Sequence, residues 1–254
     1  MAIALLPVPG RCDAPPSPAP TMAPLPATVS AEDEFAPTYQ SETGSSNIVN
    51  LRAQIPYDDA TYVFRLKLPI VTSAPGASVT GAGDLALWDL AVLGNGRAQW
   101  LVGLNARVPT ANDSLGSNKY SLGPAFGYRT KVGAWSVGFF NESFFSLVGP
   151  SWYPPVGKTK IQPIATLTVA PQWSVGLSTM KFTYDWVLNR WTEVPLGLRV
   201  EKQAVGKIAP LGGYLEAERN LARAPDTPGW TFRALLRWTF APAQSPSTSD
   251  DDGG

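Results

Sequence analysis

The sequence predicts an all-β protein, an up-and-down antiparallel transmembrane β-barrel of about twelve strands. Three observations predict it. Apolar and polar residues alternate with a period of two along most of the chain, in segments of about ten residues, the length a tilted strand needs to cross a bilayer. Aromatic residues stand near both ends of the apolar faces, as girdles at two membrane interfaces do. Short and long connections alternate, as in outer-membrane barrels with tight turns at one rim and long loops at the other.

The elements follow in order. "EFAPTYQ" (34–40) is the ascending first strand, required because the next connection is short. In "SNIVNLRAQI" (46–55), Val49, Leu51, Ala53 and Ile55 share one face and Asn50, Arg52 and Gln54 the other. "TYVFRLKLPI" (61–70) sets Tyr62, Phe64, Leu66 and Leu68 against Arg65 and Lys67. Weaker strands fit at about 84–93, 133–145, 172–184 and 208–219, and "WSVGLSTMKFTY" changes phase near Ser178, which predicts a bulge. "RAQWLVGLNARV" (97–108), "NKYSLGPAFGYR" (118–129), "KIQPIATLTV" (160–169) and "TEVPLGLRVE" (192–201) repeat the alternation. "WTFRALLRWTF" (230–240) closes the barrel against the first strand, with Trp230, Phe232, Ala234, Leu236, Trp238 and Phe240 facing lipid and Arg233 and Arg237 facing the lumen. A soluble sandwich would instead bury the apolar faces; strand length and the aromatic ends favour the membrane. Residues 1–31, rich in Pro and Ala, are expected to be a flexible leader with a degenerate or truncated signal region; 32–240 form the barrel; 241–254 form a disordered acidic tail. In the leader, Cys12 follows Arg11, where a lipid-modification site needs a small residue.

Composition narrows the function. The 254 residues hold 20 Lys+Arg and 20 Asp+Glu, so bulk charge points to no nucleic-acid partner. There is no histidine, and Cys12 is the single cysteine. Cys/His zinc sites and Ser-His or Cys-His catalysis are therefore excluded, and the chain is expected to be no enzyme, with no catalytic residue, cofactor or metal.

Function must then lie on the lumen-facing side chains. The candidate pore-lining residues are Arg52, Arg65, Lys67, Arg107, Arg129, Arg199, Arg233, Arg237, Glu193 and Glu201. Arg97, Lys119 and Lys160 extend the basic set, and Asp84, Asp89, Glu142, Glu216 and Glu218 the acidic one. A basic inner track favours anionic solutes, since charged rows set pore selectivity; interior ion pairing that fills the barrel is the other reading. Twelve strands lie between side-chain-filled barrels and wide porins, so a narrow or partly plugged passage is expected.

Several segments, "GAGDLALWDL", "WLVGLNARVPTA", "LGSNKYSLGPAFGY", "WSVGFFNESFFSLVG", "KIQPIATLTVAPQWSVGLST" and "RWTEVPLGLRVEK", resemble, in the same order, motifs of a bacterial outer-membrane family known as the "MetA-pathway of phenol degradation" proteins, often labelled transporters. The resemblance covers about residues 34–240. It implies a barrel in the bacterial cell outer membrane and passive passage of small solutes, anionic or aromatic, near the catabolism of aromatic compounds. The partners it implies are outer-membrane lipid, a small-molecule solute, and the assembly machinery through the C-terminal strand. A plugged structural or adhesin-type barrel, binding partners through its long loops, is the alternative.

Overall fold

The computed structural model describes residues 28–39, 44–57, 60–73, 81–94, 97–111, 115–205, 211–222 and 229–240. Residues 1–27 of the expected leader and the whole expected tail lie outside them. The alternating segments form strands β1 (Thr28–Tyr39), β2 (Gly44–Tyr57), β3 (Ala60–Ser73), β4 (Gly81–Ala82), β5 (Leu85–Leu93), β6 (Ala98–Val108), β7 (Tyr120–Val132) and β8 (Trp135–Val148). They continue as β9 (Gly157–Ala170), β10 (Trp173–Leu177), β11 (Phe182–Asp185), β12 (Arg190–Glu193), β13 (Pro195–Val205), β14 (Leu211–Asn220) and β15 (Trp230–Phe240).

Every pairing is antiparallel. β1 pairs β2, β2 pairs β3, β3 pairs β5, and each strand then pairs the next through β9. β9 pairs β10, β10 pairs β13, and β13, β14 and β15 lead back to β1. Followed in this order, the pairings return to their starting strand. Three short strands are parts of long ones. β4 pairs the end of β3 and runs into β5 through Gly83 and Asp84. β11 pairs the start of β9 while β10 pairs its end, and β12 passes into β13 through Val194. Twelve long strands remain, one for each alternating segment.

β1 begins at Thr28 rather than at 34, because residues 28–31 pair with 51–54 of β2. Two short turns, at Gly94 (φ 88°) and Gly133 (φ 59°), use the left-handed backbone that glycine adopts without a Cβ clash.

Apolar side chains face outward. Trp100, Val102 and Leu104 of β6, Tyr120, Leu122 and Phe126 of β7, Leu196, Leu198 and Val200 of β13, and Trp230, Phe232 and Leu236 of β15 are all exposed. Their alternate neighbours, Asn105, Ser121, Ala125 and Leu235 among them, are buried. An apolar outer face along these strands is the surface lipid requires. At the short-turn rim Trp100 packs on Tyr128 with ring centroids 4.6 Å apart; at the long-loop rim Tyr184 meets Trp186 and Trp191 at 4.9 and 5.3 Å. The side chains of Trp238 and Phe240 lie outside the described ones.

The core lies inside the barrel and on one side of it. Val63, Ala86, Trp88, Leu90, Ala125 and Phe144 pack together, with Val92, Leu101, Phe140 and Val156 against them. These residues come from β3, β5, β6, β7 and β8 and from the loop before β9. The cluster fills part of the lumen beside that wall, and most of the open volume lies beside β9–β15, β2 and β3.

Candidate functional site

Among the described residues, two cavities of about 600 and 330 Å³ lie in the lumen. The larger runs the height of the barrel. Asn220 and Thr231, at the long-loop ends of β14 and β15, line it at one extreme; Glu201 and Arg237, near the short-turn ends of β13 and β15, line it at the other. Arg52, Arg65, Lys67, Arg129, Arg199, Arg233, Arg237, Glu193 and Glu201 all line this cavity. Arg107 lines the smaller one, and Lys67 and Lys160 line both. The ten candidates thus project from seven strands into the lumen, as alternation requires when the opposite face is apolar.

Many of these charges are spent on each other. Arg233 Nη1 lies 2.6 Å from both Glu216 and Glu218. Glu201 receives Arg199 at 3.2 Å and Arg237 at 3.4 Å. Glu193 accepts a hydrogen bond from Thr183 Oγ1 at 2.6 Å. Arg65 donates to Asn50 Oδ1 at 3.0 Å and lies 5.3 Å from the Trp88 ring. Arg129 donates from Nε to Ser136 Oγ at 2.6 Å.

The predicted bulge is a four-residue inward fold. Leu177 is partnered with exposed Leu198, and Phe182 with Ile161 on the same outer face. A regular strand would put residues 177 and 182 on opposite faces, so Ser178, Thr179, Met180 and Lys181 reset the phase. Ser178 N–H donates to Gly197 O at 3.0 Å. Thr179 donates to Glu216 from its N–H at 2.8 Å and its hydroxyl at 2.6 Å. Lys181 Nζ lies 2.6 Å from Glu142 Oε1, while Trp88 Nε1 donates to the other oxygen at 3.0 Å. Met180 is only 3% exposed. Gly197 makes room for this fold: a Cβ there would stand 2.7 Å from Ser178 Oγ.

Lys181, Thr179 and Trp88 are lumen residues that sequence reasoning missed. The phase change at Ser178 was the signal for the first two. Trp88 gave none, because an inward tryptophan and an outward girdle tryptophan look alike in an apolar strand.

Three assignments are corrected. Asp89 does not face the lumen: it is exposed on the outer face between Phe64 and Leu104, its partners in β3 and β6. "LALWDLAVL" is apolar on both faces, so its alternation fixed no phase. Arg97 is exposed in the turn before β6. Lys119 is buried and donates to Pro150 O, tying two long loops together. Asp84 does point inward, and one of its oxygens accepts the N–H of Ser117 at 2.8 Å and its hydroxyl at 2.7 Å.

No family model matches the sequence, and no curated protein does. Among solved structures, the chain is similar to an outer membrane channel from Pseudomonas putida F1, with 18% identity over 89% of this chain and 100% of that one, and a TM-score of 0.62. It is also similar to the toluene transporter TodX of Pseudomonas putida, with 6% identity over 85% of this chain and 89% of that one, and a TM-score of 0.43. The first likeness shows the fold, that of an outer-membrane barrel.

Proposed function

We propose that the chain is a bacterial outer-membrane channel for passive passage of small solutes, with a preference for anions. One observation carries this reading: the larger cavity reaches from the long-loop end of the barrel to the short-turn end, and nine cations but three carboxylates line it among the described side chains. An excess of fixed positive charge in a narrow polar passage concentrates anions and repels cations. The similar structure from Pseudomonas putida F1, titled an outer membrane channel, supports the reading. Passage of aromatic compounds belongs to the family resemblance alone. β15 is the strand that assembly machinery would engage, since its pairing with β1 joins the two ends of the sheet.

Planar bilayers with a salt gradient test this. The purified protein is expected to give discrete conductance with a reversal potential on the anion side. Arg129→Glu is expected to move that potential toward cations, because Arg129 lines the cavity and has no carboxylate within ion-pair distance among the described residues. No conductance would overturn the reading and favour a plugged barrel. That barrel would use its loops instead, where Trp152, 79% exposed, is the most exposed apolar side chain among the described residues.

A further inference from the structure

We propose that the smaller cavity is a binding station for a small organic carboxylate. Its place on a transport route rests on the passage reading above; the site itself stands on its own geometry. The cavity, about 330 Å³, is of the size that holds small molecules. Lys67, Arg107, Lys160 and Lys181 line it, against two carboxylates, Asp84 and Glu142. Both carboxylates already have donors: Glu142 holds Lys181 and the Trp88 indole, and Asp84 holds Ser117.

Arg107 and Lys160 are both half-buried, and neither has a carboxylate within ion-pair distance among the described residues. Arg107 lies over the Phe144 ring at 4.7 Å, and that ring is itself fully buried. Cations held against an apolar core, with carboxylates nearby but none in ion-pair contact, keep part of their desolvation cost, and an anion placed between them offsets it. Pro69, Ala86 and Phe144 supply an apolar wall beside these cations. That wall favours a carboxylate with a hydrocarbon body over a hydrated inorganic ion.

The cavity also has direction. Leu115, Gly116 and Ser117, from the long loop after β6, line it at one end. Lys67, Lys160 and Lys181 line the larger cavity as well, so they stand where the two cavities meet. A carboxylate entering from the loop side reaches the lysines before the arginine-lined passage.

Calorimetric titration of the full chain, folded in a non-ionic detergent, tests the site with hexanoate and acetate as probes. The expected result is saturable hexanoate binding, tighter than acetate binding. Lys160→Gln with Arg107→Gln is expected to weaken it by about tenfold or more, the scale of losing close charge pairs. Arg219→Gln removes an exposed cation that lines neither cavity and is expected to leave binding unchanged. A heat-modifiable gel shift reports folding of each variant; where the double variant does not fold, Lys160→Gln alone is expected to weaken hexanoate binding several-fold. Absence of hexanoate binding in the wild type, equal affinity for acetate and hexanoate, or unchanged binding in the folded Lys160 variant would each overturn the proposal. Bilayer conductance without saturable hexanoate binding sinks the station and leaves the passage standing; hexanoate binding without conductance supports the station and sinks the passage.

Discussion

Arg233 and Arg129 show that two arginines of one lumen have different roles. Arg233 sits between Glu216 and Glu218, both buried, with ion pairs of 2.6 Å to each. Removing it leaves two neighbouring carboxylates out of water, of which Glu216 keeps one hydroxyl and one amide from Thr179. Breaking one side of a buried ion pair costs about 3–5 kcal/mol. Arg233→Leu is therefore expected to lower stability by about that amount, read as a lower temperature for the gel-mobility shift. Arg129→Leu strands no carboxylate and is expected to stay within about 1 kcal/mol of the parent. Equal losses would mean that Arg233 is not an internal clamp. Alternation made both arginines legible as lumen residues. It could not show which was engaged, because the partners come from elsewhere in the chain: Arg233 and Glu216 are 17 residues apart, Lys181 and Glu142 39.

At the scale of elements, the break between β10 and β11 is the part of the wall that turns into the lumen. Its four residues are fixed at both ends by carboxylates of other strands, Glu216 of β14 and Glu142 of β8. Thr179→Val keeps the shape of the side chain and removes the hydroxyl donated to Glu216 at 2.6 Å. A hydrogen bond to a charged group contributes about 1.5–3 kcal/mol, so a loss in that range is expected on unfolding by denaturant. Because Thr179 lines the larger cavity, single-channel conductance is expected to change with it; unchanged stability and conductance would mean the hydroxyl contributes nothing to the fold. The phase change at Ser178 made this element visible in sequence as a bulge. Its direction was not, since nothing local says whether extra residues go to lipid or to lumen. β5 posed the same difficulty: with both faces apolar, the inward Trp88 and the outward Asp89 could have been exchanged.

Across the whole molecule, the interior is divided. An apolar cluster packs beneath β3–β8 beside the smaller cavity, and the larger, polar cavity follows the other side. The twelve strands, their order and the closing pair β1–β15 were legible because turn lengths and a period of two fix an up-and-down ring. The division was not, because it depends on which inward residues from distant strands meet. The orientation of the wall still makes a sharp prediction. Leu215 lies midway along β14, 66% exposed on the outer face, while Thr166 of β9 lines the larger cavity. An arginine on the lipid face near the bilayer midplane costs about 2–4 kcal/mol, whereas the lumen can hydrate one. In lipid bilayers, denaturant unfolding is expected to show Leu215→Arg destabilised by about that amount with conductance retained in the folded fraction. Thr166→Arg is expected to keep its stability and lower the conductance, because the new side chain occupies the passage. The reverse order, with Thr166→Arg unstable and Leu215→Arg tolerated, would place the polar face outside and the apolar face within, as in a water-soluble barrel.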